Sequence, residues 1–174
     1  MKVLVPIGWL CLLVLPSVNQ TQPAGPTAAA ASSRDRDMQK IEITPSGSVS
    51  AVNAPAEHFT GAAHVVPLFN PQGASRAAGA LVTFEPGVRT AWHTHPLGQT
   101  LIVTEGVGWV QQWGGSVQII RKGDVVLIPA GVKHWHGATT ATSMSHIAIV
   151  ETLDGKSVNW MEKVRDDQYH GPQS

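Results

Sequence analysis

From Ile41 onward the chain is a succession of short runs of valine, isoleucine, leucine and threonine, each cut off by glycine or proline. The runs "GALVTFEPG", "TLIVTEGVGWVQQWGG", "VQIIRKGDVVLIPAG" and "MSHIAIVE" are the clearest. Runs of about five to seven residues have the length of strands, and β-branched side chains suit a pleated surface. Pro86-Gly87, Gly114-Gly115 and Lys122-Gly123-Asp124 supply tight turns between them. Many short strands at regular spacing predict an all-β single domain, an antiparallel sandwich or barrel. Helix-like spacing occurs only near the end, at Trp160, Met161 and Val164 in "VNWMEKVRDDQYH".

The N-terminal segment has a different texture. In "MKVLVPIGWLCLLVLP", Lys2 precedes an apolar run from Val3 to Leu15. That run is short for a bilayer span and fits the core of a signal peptide; a buried core helix is the alternative. Residues 1–19 are expected to be a signal peptide. Residues 20–40, rich in proline, alanine, serine and threonine, are expected to be a flexible linker. The domain is placed at 41–165 and a C-terminal tail at 166–174. Cys11 is the only cysteine and falls in the leader, so the exported chain has no disulfide, and nitrogen and oxygen must hold any metal. The expected location is periplasmic or secreted, without stable membrane association after the leader is removed.

Twelve basic and twelve acidic side chains cancel. No run of like charge marks a nucleic-acid surface or an anionic membrane, so a small uncharged substrate fits best.

The chemistry lies in two histidine pairs. Residues two apart in a strand share a face, which pairs His93 with His95 and His134 with His136. Alternating histidines on an exposed strand would show the same spacing. One strand cannot surround an ion, but two such pairs on different strands of a closed barrel can converge on one transition metal.

Gly87, His93, His95, Gln99 and Gly106 follow the pattern G-x5-H-x-H-x3-Q-x6-G, and Gly123, Pro129, Gly131 and His134 follow G-x5-P-x-G-x2-H. These segments resemble the two signature motifs of the cupins, over roughly residues 41–165. The resemblance implies a small jelly-roll, or double-stranded β-helix, barrel with a divalent metal on His93, His95, Gln99 and His134. Most metal-binding cupins carry glutamate where Gln99 stands. A neutral amide leaves the ion's double charge uncompensated, which strengthens it as a Lewis acid and removes an anion that would stabilise a higher oxidation state. Iron and zinc suit the donor set as well as manganese. The stretches "VTFEPGVRTAWHTHPLGQTLIVTEGVGWVQ", "KHWHGA" and "DGKSVNWMEKV" are similar to small bacterial manganese-dependent, hydroxynitrile-lyase-like cupins, where glutamine at the fourth ligand position is normal. That similarity implies manganese first. It also implies cleavage or formation of cyanohydrins of small or aromatic aldehydes, and a homodimer or homotetramer.

Such a reaction needs a Lewis acid on the hydroxyl, a base for its proton, and a donor or positive field for the departing cyanide. His136, on the face of His134, and His146, in "MSHIAIVE", are the acid–base candidates, and Thr90 offers a hydroxyl at the cavity mouth. Ala80, Val82 and Phe84 alternate with Leu81 and Thr83 and are expected to form an apolar substrate wall, joined by Ala148 and Val150. Val150 stands where lyase-like relatives can carry a polar residue. Trp92 and Trp135 have the wrong parity for the cavity; with Trp109 and Trp113 they are expected on outer faces or at an oligomer contact. Two other functions fit the motifs: an iron-dependent cupin dioxygenase, and an exported cupin that binds metal or ligand without catalysis.

Overall fold

The computed structural model describes residues 40–171; the expected leader, nearly all of the expected linker and the last three residues lie outside the described residues. Ile41 opens a compact unit that runs to the C-terminal end. It is all-β among the described residues. The strands are β1 Val52–Asn53, β2 Phe59–Thr60, β3 Ala63–Phe69, β4 Ala77–Phe84, β5 Arg89–Thr90, β6 His93–Thr94, β7 Gln99–Gln112, β8 Gln118–Arg121, β9 Val125–Ile128, β10 His134–Ala138, β11 Met144–Glu151 and β12 Asn159–Trp160.

All pairings are antiparallel and they form two sheets that share one strand. The first sheet runs β1-β3-β4-β11-β7-β9, using the first half of β7. The second runs β2-β5-β10-β7-β8, using the second half, with β6 bridging β10 to β12. At 14 residues, β7 is about twice the expected strand length. It serves both sheets because it bends at Gly106, where φ is 73°. Glycine adopts that left-handed backbone freely. A side chain there would also press into the Ser143 carbonyl. A register shift between Ser145 and His146 lets β11 follow the bend.

Between the sheets lies a core that includes Phe59, Val82, Phe84, Val103, Val110, Ile120 and Met144. This two-sheet arrangement is the expected jelly roll. A second apolar cluster sits outside the second sheet: Trp92, Trp135, Val164 and Tyr169, with Trp109 packed against it.

The C-terminal region departs from its helix-like spacing. The helical spacing of Trp160, Met161 and Val164 produces no helix. Their backbone is taken up by sheet pairing instead: β12 pairs with β6, Met161 N–H donates to the Trp92 carbonyl, and Trp92 N–H donates to the Glu162 carbonyl. Within the expected tail, residues 166–171 pack onto the barrel. Tyr169 is buried, and its hydroxyl donates to the Ala138 carbonyl at 2.6 Å. This also corrects the reading of the tryptophans. Trp92 and Trp135 do face away from the cavity, but they are only 2% and 0% exposed, because the chain's own C-terminal segment covers them. Trp113 is the exposed one.

Candidate metal centre

His93 on β6 and His134 on β10 are direct partners in the second sheet. His95 lies two residues beyond His93, and Gln99 opens β7 after a turn. Ring nitrogens of His93, His95 and His134 all come within 4.8 Å of one another, and the three residues are buried. Each Nδ1 meets a backbone carbonyl: Ala91 at 2.9 Å for His93, Ser157 at 2.6 Å for His95, and Val132 at 2.9 Å for His134. A carbonyl only accepts, so each Nδ1 carries the proton and each Nε2 presents a bare lone pair.

Those lone pairs are what makes the group fit a metal. His95 Nε2 is buried without a partner. His134 Nε2 lies 3.1 Å from Gln99 Oε1, which is a second acceptor. Two acceptors facing each other at that distance suit a cation coordinated by both. The rings are also in their metal-binding form. Burial first, then neighbouring His134, holds His93 well below the ordinary histidine value. Burial likewise lowers His95 and brings His134 down to about 4. Neutral imidazole is the ligand form.

His136 and His146 lie beside this group, 3% and 0% exposed. Their ring centroids are 4.9 Å apart, and His136 is 5.4 Å from His93. All four of their ring nitrogens are buried without a partner. Buried polar atoms are otherwise almost always satisfied, so both rings have nitrogen atoms to offer a polar group in the cavity. Burial, then neighbouring His146, keeps His136 well below its ordinary value, and burial brings His146 down to about 4. Thr90 is 1% exposed, and its Oγ1 accepts the His136 backbone N–H at 3.2 Å. It therefore sits in the cavity floor rather than at the mouth.

A cavity of about 410 Å³ is lined by His93, His95, Gln99, His136, His146 and Thr90, while His134 closes the group from the neighbouring side, against the groove along Ile128, Pro129 and Val132. Ala80, Val82, Phe84, Ala148 and Val150 line the cavity too, as their alternation predicts. The register brings the two walls together: Val82 pairs with His146 and Ala80 with Ala148 on one side of β11, and Val150 pairs with Gln99 on the other. Sequence reasoning missed His58, Phe59, Phe69, Ser157, Val158 and Trp160, which also line it. Trp160 was masked by its helix-like spacing. His58 sits in a turn before β2, where no periodicity marks it. The two rings stack at 4.4 Å. A larger surface groove of about 820 Å³ beside Trp113 and Gly114 contains none of the converging histidines.

The Cupin domain family model matches residues 80–150. Over 129 residues the chain is 57% identical to "(R)-mandelonitrile lyase" of Granulicella tundricola, covering 74% of this chain and 98% of that protein. A cupin-like protein from Thermotoga maritima superposes with a TM-score of 0.65 at 38% identity, covering 74% of this chain and 95% of that one. A polyketide cyclase from Streptomyces resistomycificus, at 18% identity and a TM-score of 0.57 over 75% of this chain and 91% of that one, shares the fold alone. The spacing of the two motifs, the barrel that brings them together and a relative matched over nearly its whole length agree: the chain belongs to the cupins and resembles their hydroxynitrile-lyase-like members.

Proposed function

We propose that the protein is a metal-dependent lyase of the hydroxynitrile-lyase kind, cleaving or forming cyanohydrins of small or aromatic aldehydes. The observation that carries this reading is the juxtaposition of a neutral donor set with two unpartnered, buried imidazoles beside an apolar cavity. The 57% identical relative, itself named a mandelonitrile lyase, supports the same reading. A divalent metal held by His93, His95, His134 and the Gln99 amide oxygen, manganese in this reading, would supply Lewis-acid polarisation of the substrate oxygen.

His136 and His146 handle the proton. Both are neutral, so either ring has a bare nitrogen for the cyanohydrin hydroxyl proton; burial weakens them as bases, and the polarised hydroxyl, itself made more acidic, offsets this. The oxygen then forms the carbonyl double bond, and the carbon–nitrile bond breaks with its electron pair on cyanide. The accepted proton passes to cyanide, giving hydrogen cyanide and aldehyde. Ala80, Val82, Phe84, Ala148 and Val150 hold the organic group and exclude water. Gln99 brings no anion to stabilise an oxidised metal, which favours the lyase over the iron dioxygenase. The apolar leader supports export, and the family resemblance supports a homodimer or homotetramer.

The acid–base assignment is tested with His136→Gln and His146→Gln. In at least one of them kcat for mandelonitrile cleavage falls by about 10²–10⁴-fold while bound metal stays at the wild-type level. Undiminished turnover in both variants removes the two histidines from the reaction.

A further inference from the structure

Two of the three ligand histidines are oriented by carbonyls of their own segments, Ala91 and Val132, each two residues away. His95 is oriented from a distance: its Nδ1 donates to Ser157, 62 residues further along the chain. Ser157 begins a C-terminal strap whose described residues run to Gly171. Within the strap, β12 sets Trp160 opposite His93 and Asn159 opposite Thr94, and its indole lies 4.7 Å from the His93 ring. The ladder continues through Met161 and Glu162 on either side of Trp92. The strap therefore fixes His95 through a carbonyl and His93 through a strand pairing and an aromatic contact.

The far end of the strap is fastened to the barrel by a buried guanidinium. Arg89, on β5, is 5% exposed. Its Nη2 donates to the Val164 carbonyl at 2.9 Å and to the Asp166 carboxylate. Its guanidinium carbon lies 4.4 Å over the Tyr169 ring. Tyr169 in turn donates to Ala138, the last residue of β10, the strand that carries His134 and His136. Lys163 adds a fastening on the other side, donating to the carbonyls of Phe59, at 2.9 Å, and Ala56. Trp160, Val164 and Tyr169 are the strap's apolar anchors, and burying a cation beside them is costly unless its partners are well placed. Arg89 directs Nη2 at the strap backbone and a strap carboxylate and lays its plane over a strap aromatic ring, while its Nε is buried without a partner.

We infer that the strap is a positioning element of the metal centre, with Arg89 as its anchor and Trp160 as its contact with the ligands. The Ser157 carbonyl sets the tautomer and ring plane of His95, β12 sets His93, and the clasp of Arg89 on Val164, Asp166 and Tyr169 keeps both in place. Metal affinity thus depends on Arg89 and Trp160, residues that supply no ligand atom. The inference rests on the three-histidine metal reading and is independent of the reaction carried out there.

The test uses the full chain with Mn²⁺ and Co²⁺ as probes. Binding is titrated calorimetrically, and the visible spectrum of bound Co²⁺ reports the ligand geometry. Arg89→Met and Trp160→Ala are each expected to weaken binding by about 10–100-fold and to change the Co²⁺ spectrum, the range seen when groups orienting a ligand are lost. Trp160→Phe, which keeps a ring against His93, is expected to restore most of the affinity. Circular dichroism and cooperative melting of the metal-free variants identify folded protein; if Arg89→Met does not fold, Trp160→Ala carries the test alone. A wild-type chain that binds no metal overturns both the site reading and this inference. A wild-type chain that binds metal, with folded variants binding as tightly and with the same spectrum, overturns the strap's role and leaves the site standing.

Discussion

His134 and His146 pay for their burial in a form that acid titration exposes. Each has been brought from 6.5 down to about 4, in both cases chiefly by burial. In the unfolded chain they take up protons near 6.5; in the folded chain they stay neutral until about pH 4. Between those values the unfolded state binds more protons, so stability falls as the pH falls through that window. Above pH 6.5 neither state is protonated there and the contribution is flat. For the metal-free protein both histidines cost stability as the pH falls through this window, and the lowered values of His93, His95 and His136 act in the same direction. Urea midpoints between pH 4 and 8 are expected to rise to about 6.5 and then level off. His146→Gln shows a shallower rise. At this scale the three-histidine group was legible in the sequence because its spacing is a strand-parity argument joined to a motif. The orientation of His95 was not, because its carbonyl partner Ser157 is remote in sequence.

Among the elements, β7 carries the most consequence, since its bend places Gln99 in one sheet while Val110 and Gln112 pair with β10 in the other. Gly106 permits that bend. Gly106→Ala is expected to destabilise the fold by about 1–3 kcal/mol, from left-handed strain together with the clash at Ser143, as measured by chemical denaturation. The strands themselves were readable from alternation: Ala80, Val82 and Phe84 face the cavity as their parity predicts. Element type at the C-terminal end was not readable. The spacing of Trp160, Met161 and Val164 matches a helix, but the edge of β6 offers a hydrogen-bonding partner that local sequence cannot reveal. Trp160 then faces the cavity and Val164 the outer cluster, so the same apolar residues serve two layers.

At the scale of the whole molecule, the fold brings together candidate ligands from three separate segments, a wall from β4 and β11, and a strap from the C-terminal end. No one segment contains the centre; the barrel makes it. The account therefore stands on whether cleavage follows the metal. In the full chain, cyanide release from mandelonitrile is measured against manganese bound per chain, after chelation and stepwise reloading. The account predicts no release from the chelated chain, release that rises in proportion to bound metal up to about one ion per chain, and neither binding nor release in His134→Ala. Full metal loading with no more cleavage than His134→Ala, or cleavage that survives removal of the metal, contradicts it.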